Sequence, residues 1–184
     1  MNCPLECTYL QEARAHEKRI ELDPEELPNR DVRITERFLV EHQRLITFVG
    51  LTLLDTALTT PGAVDADVRE ALESLIRTFR TLQSGLYYET RPANLLASAI
   101  HQRMQQHFQE YRQQERERSG LNAVRDAELL GALVFWQHSA LVTNNGRRLG
   151  RSFLGFLRDS LLEAGARVGP AGVEARGGSS LIVP

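Results

Sequence analysis

Apolar residues recur at steps of three and four along four stretches of this chain, and turn-forming residues separate the stretches. In the first, Ile34, Phe38, His42, Leu45, Val49 and Leu53 share one helical face, which predicts a helix capped by Asn29 or Asp31 and running to about Leu58. Beyond Leu45 its polar face nearly vanishes, so this half is expected at the centre of the molecule. Its β-branched content also suits a strand, but its length and the entering helical period favour a helix. Thr59-Thr60-Pro61-Gly62 reads as a turn.

The cleanest stripe is Val68, Leu72, Leu75, Phe79, Leu82 and Leu86, predicting a helix from Asp65 or Asp67 to about Arg91, with acidic residues at its positive end. Pro92 then suits the first turn of the helix of the third stretch, built on Leu96, Ile100, Met104, His107, Phe108 and Tyr111. That pattern becomes almost wholly charged from Arg112 to Ser119, with Gly120 as a stop and Asn122 as the next cap.

From Asp126 to Gly165, two apolar segments (residues 129–136 and 152–157) flank the polar run Thr143-Asn144-Asn145-Gly146-Arg147-Arg148. Unbroken, this would be a helix of about 60 Å. Two helices are the better reading, with Gly146 in the left-handed position and the second helix opening at Arg147. The fold expected is therefore an all-α, antiparallel helical bundle of four main helices plus one or two shorter ones. Residues 29–164 would form the bundle domain, residues 1–28 an extension with a short charged helix near Tyr9–Ile20, and residues 165–184 a Gly-rich, flexible or extended tail.

Composition narrows the function classes. At 184 residues the chain can bury a core without covalent staples. Its formal charge of −2 gives no global electrostatic case for nucleic acid or an anionic membrane. The apolar run from Leu45 to Leu58 is too short and too often interrupted to cross a bilayer. Two cysteines make no disulfide framework, and a cytoplasmic setting is expected.

Three sets of residues carry possible chemistry. Cys3, Cys7 and His16 are zinc-type donors, although the spacing is unusual and a fourth ligand is missing. His42, His107 and His138, with His101 flanking, lie on or beside apolar stripes where a bundle could aim imidazoles at a cofactor; more often such rings are satisfied by neighbouring groups. The third set joins Tyr88, Glu89 and Arg91 to His138, Asn145, Arg147 and Arg148. A buried Arg148 would require a carboxylate such as Glu89, or a bound small anion, and a helix start at Arg147 would favour the anion.

Gly146 and Gly150, one turn apart, would let a second helix or subunit approach closely. Arg147, Arg148, Arg151 and Arg158 would face phosphates in a helix-turn-helix protein, and Asp55 is an acid within an apolar stretch. Phosphate-loop, nucleophile-elbow and His-Glu-x-x-His patterns are absent from the sequence. The reading that remains is a non-enzymatic interaction or regulatory module that associates with itself or with a protein partner. A zinc- or cofactor-binding protein is the alternative, and a nucleic-acid-binding regulator the third.

Overall fold

A computed structural model describes residues 23–119 and 124–167. The expected N-terminal helix, Gly120, Asn122, and the tail beyond residue 167 lie outside them. Within them the chain is an all-α bundle: α1 (Glu36–Glu41), α2 (Gln43–Leu58), α3 (Asp65–Gln83), α4 (Leu95–Ser119), α5 (Asp126–Val142) and α6 (Ser152–Arg167). A single 3-10 turn, Pro24–Glu26, precedes them.

The first helical stretch begins later than its sequence suggests. Thr35 is the cap, its hydroxyl accepting from the Phe38 amide at 3.2 Å. Asn29 and Asp31 instead bind distant helices. Arg80 forks onto both Asp31 carboxylate oxygens at 2.9 and 2.6 Å and also donates to Asn29 Oδ1; Asn29 Nδ2 donates to Gln137 at 2.7 Å. At His42 the backbone leaves helical geometry, separating α1 from α2. Thr56 of α2, and Thr60 just beyond its end, tolerate burial because each donates to the carbonyl four residues back, at 2.8 and 2.7 Å. Asp55 faces solvent.

Most, but not all, of the stripe positions read from the sequence form the core. Leu53, Leu72, Leu75, Ile100, Met104, Leu129, Leu133, Phe153 and Leu157 are all fully enclosed. Two close approaches shape it. A Cβ on Gly50 would stand 2.5 Å from the Trp136 ring, and one on Gly131 would stand 2.4 Å from Phe38. Trp136 thus packs against α2 at Gly50 and donates its indole N–H to the Ile46 carbonyl at 2.9 Å.

One pair of neighbours runs in the same direction, where short turns would have made every sequential pair antiparallel. Asp67 meets Asn94 near the starts of α3 and α4 (2.8 Å), and Phe79 meets Phe108 further along both (ring centroids 5.9 Å). Helix α3 stops at Gln83, and Gly85, at φ 75°, turns the chain back. Residues 84–94 then return along α3 as an extended strap. Leu86 consequently leaves the stripe it continues in sequence and is 62% exposed. Asn94, rather than the turn at Pro92, opens α4: its side chain accepts from the Leu96 and Ala97 amides at 2.8 and 3.4 Å.

The long C-terminal stretch is two helices, as its glycine and length predict, with Gly146 at φ 71°. The second helix, however, starts at Ser152 and not at Arg147. Asp65, in the first turn of α3, accepts from the Phe153 and Leu154 amides at 2.9 and 3.2 Å, and its own amide donates to the Gly150 carbonyl at 3.0 Å. A foreign carboxylate therefore caps α6. Gly146 and Gly150 lie in the loop, outside any helix, so they form no small-residue helix face.

Substitutions at Asp65 and Gly50 test these contacts. Asp65→Ala leaves two enclosed amides without their acceptor and lowers the unfolding free energy by about 1–3 kcal/mol; Asp65→Asn, which keeps one acceptor oxygen, costs less. Burial outweighs the amide hydrogen bonds and holds the Asp65 carboxyl above its ordinary range. The native protein's margin over Asp65→Asn therefore shrinks as pH rises through that raised value, which urea titrations at several pH values will read. In the same assay Gly50→Ala costs about 1–3 kcal/mol by driving a methyl into Trp136, with a change in indole fluorescence.

Candidate functional site at the strap

An extended segment lying on a helix must find partners for a backbone that neither helix nor sheet supplies. Here α3 provides them from successive turns. Leu86 N donates to the Thr81 carbonyl (2.9 Å), Thr81 Oγ1 donates to the Tyr88 carbonyl (2.8 Å), and Thr90 N donates to Thr78 Oγ1 (2.9 Å). Further on, Glu70 Oε1 accepts from both the Ala93 and Asn94 amides at 3.0 and 3.1 Å. With its backbone turned toward α3, the strap sends its large side chains outward. Tyr87 is 96% exposed and Tyr88 67%.

Beyond the tyrosines, Glu89 and Arg91 pair with each other at 2.9 Å. Together with Ser98, His101, Gln102 and Gln105 of α4 they line a cavity of about 230 Å³. His101 forms its floor at 1% exposure. Its Nδ1 stands 3.9 Å from Glu89 Oε1, beyond hydrogen-bond length, and its Nε2 is enclosed with no partner. Burial lowers the proton affinity of this ring; Glu89 acts in the opposite direction and Arg91 reinforces burial. The two wall charges satisfy one another and the remaining groups are amides and a hydroxyl, so the cavity singles out no ligand class.

Of the residues expected to act together, Tyr88, Glu89 and Arg91 are adjacent here, while the others lie elsewhere. His138 donates from Nε2 to the Pro28 carbonyl at 2.7 Å. Asn144 and Asn145 build the loop after α5, their side-chain oxygens accepting from the Gly146 and Arg147 amides at 3.1 Å each. Glu89 pairs with Arg91 and not with Arg148, which is exposed and so needs no buried counter-charge. The anion position at the start of α6 is already occupied by Asp65, and Arg147 and Arg148 stand outside that helix. Arg158 pairs with Asp159 at 3.0 Å.

The histidines do not converge. His42 packs on Phe38 (ring centroids 4.6 Å), His107 faces Glu110 at 3.3 Å, and His101 and His138 occupy the separate places just described. Among the described residues no group of three or more His, Cys, Asp or Glu is placed to hold a metal ion. Cys3, Cys7 and His16 lie outside those residues. Among the described residues, too, no helix is long and apolar enough to cross a membrane.

No family model, curated protein or solved structure matches this chain. The site therefore stands on its own geometry.

His101 is the residue that sequence reading placed only at the flank of a stripe. The signal was present: Ala97, His101, Met104 and Phe108 are spaced four, three and four apart, which is as good a helical face as Leu96, Ile100 and Met104. Thr78 is the residue on which the strap's middle depends. Thr78→Val keeps the shape, removes the acceptor of the Thr90 amide, and is expected to cost about 1–3 kcal/mol. Hydrogen exchange at Thr90 should accelerate while the amides of α3's apolar face stay protected.

Proposed function

We propose that this protein is a non-catalytic helical-bundle interaction module, and that it makes contact through the outer side of the strap, in the first instance with a second copy of itself. The observation that carries this is the run Leu86-Tyr87-Tyr88: three consecutive large side chains held outward on a backbone whose hydrogen bonds are turned inward. Tyrosine offers a large, amphipathic contact area at low entropic cost, which is why it is enriched in interfaces. Next to the tyrosines lie one acid and one base, Glu89 and Arg91. In a two-fold arrangement each can exchange its internal partner for the opposite charge on the other copy. A net charge of −2 opposes such association only weakly. The small composition of cysteine is consistent with work in the cytoplasm.

Size-exclusion chromatography with light scattering on the full chain tests the reading. A dimer whose fraction grows through the micromolar range is expected. Replacing both exposed rings, Tyr87→Ser with Tyr88→Ser, should return the protein to monomer without changing its helical circular dichroism. A native chain that stays monomeric throughout overturns the proposal of self-contact.

A further inference from the structure

Among the described histidines, His101 alone is buried. The state of its ring follows from its surroundings. A neutral ring with the proton on Nδ1 directs that N–H toward Glu89 and leaves Nε2 as a bare acceptor, the less costly kind of unpaired group to enclose. Adding a second proton would create an N–H at Nε2 that faces no acceptor in an enclosed site, and would bury a net charge. The charges that act on the ring, Glu89 and Arg91, both sit on the strap and already pair with each other.

The strap beside the ring is held to α3 by few bonds. Between Gly85 and Pro92 its bonds to α3 are those made by Thr81 and by Thr78; the firmer double acceptor, Glu70, grips only residues 93 and 94. Gly85 at one end and the Glu70 anchor at the other define where the segment would pivot. The cavity beside His101 means that a short outward movement brings water to the ring.

We propose that His101 and the strap form a proton-operated latch, in which the neutral ring seats residues 86–91 and the protonated ring releases them. The direction follows from linkage. Burial depresses the ring's proton affinity while the strap is seated, and release returns it toward the ordinary histidine value. The seated state is therefore fully favoured above about pH 6.5 and loses ground as pH falls below it. The latch does not depend on the strap contacting a second copy, because its readout is local to one chain.

Amide hydrogen exchange followed by NMR on the full chain, corrected for the intrinsic pH dependence of exchange, provides the test. Protection at Thr90 is expected to fall on the order of tenfold between about pH 7.5 and pH 5.5. Core amides such as Leu75 and Leu133 should hold theirs. His101→Gln should abolish the pH dependence at Thr90. If that variant does not fold, the native ring decides: His101 should titrate below about 6.5. Titration at or above that value, unchanged protection at Thr90 over the interval, or parallel loss at the core amides, which signals general unfolding, overturns the latch.

Discussion

The carboxylate of Asp65 holds the bundle's geometry at one point. It is 3% exposed, belongs to the first turn of α3, and caps a helix that begins 87 residues later in the chain. Two helix N-termini thus converge on one negative group, and each contributes a positive dipole end that offsets the cost of enclosing it. Asp67, also buried, completes the arrangement by accepting from the Val64 amide and from Asn94 Nδ2. One turn of α3 in this way positions the starts of both α4 and α6.

The strap is a consequence of that constraint. If α4 must begin beside the first turn of α3, the two helices run in the same direction, and a tight turn after Gln83 cannot connect them. The chain has to travel back along the length of α3 before α4 can start. A returning segment of this kind lies at the surface, with its backbone groups facing the helix. Thr78 and Thr81 are placed on α3 where those groups need partners, and Leu86, Tyr87 and Tyr88 are displayed on the opposite side. The exposed aromatic run Tyr87-Tyr88 is thus set by bundle topology and not only by local composition.

Periodicity made the helical architecture legible, because burying a stripe every 3.6 residues requires only local order in the sequence. Val68, Leu72, Leu75 and Phe79 needed nothing else. Leu86 deceived because the period continues past the point where the chain turns; periodicity reports a compatible residue, not the geometry of Gly85. Asn29 and Asp31 look like caps, but the same oxygen atoms were taken by Arg80, a residue on another helix. The start of α6 was misplaced for a related reason, since its capping carboxylate is remote in sequence and no local pattern announces it. Of the candidate site, only Tyr88, Glu89 and Arg91 could be grouped in advance, and they are sequence neighbours. Aligning His138, Asn145 and Arg148 on one face would have required α5 to continue through residues that instead form a loop stabilised by two asparagine side chains, and His138, already within α5, is engaged with Pro28.

Stability within such a fold is not uniform, and the strap and the Asp65 junction are held by different kinds of contact. The junction joins enclosed charged and amide groups, so opening it exposes unsatisfied partners on two helices together. The middle of the strap is held by two threonines and carries its large side chains already in water, so lifting it sacrifices little burial. A titratable ring beneath the first kind of structure would threaten the whole bundle on protonation. Beneath the second kind, the same ring can act on a short segment while the bundle persists. The separation of these roles along α3, with buried anchorage at its first turn and a hydroxyl-held strap near its last, lets one helix serve both as the bundle's fixed point and as the seat of a surface segment.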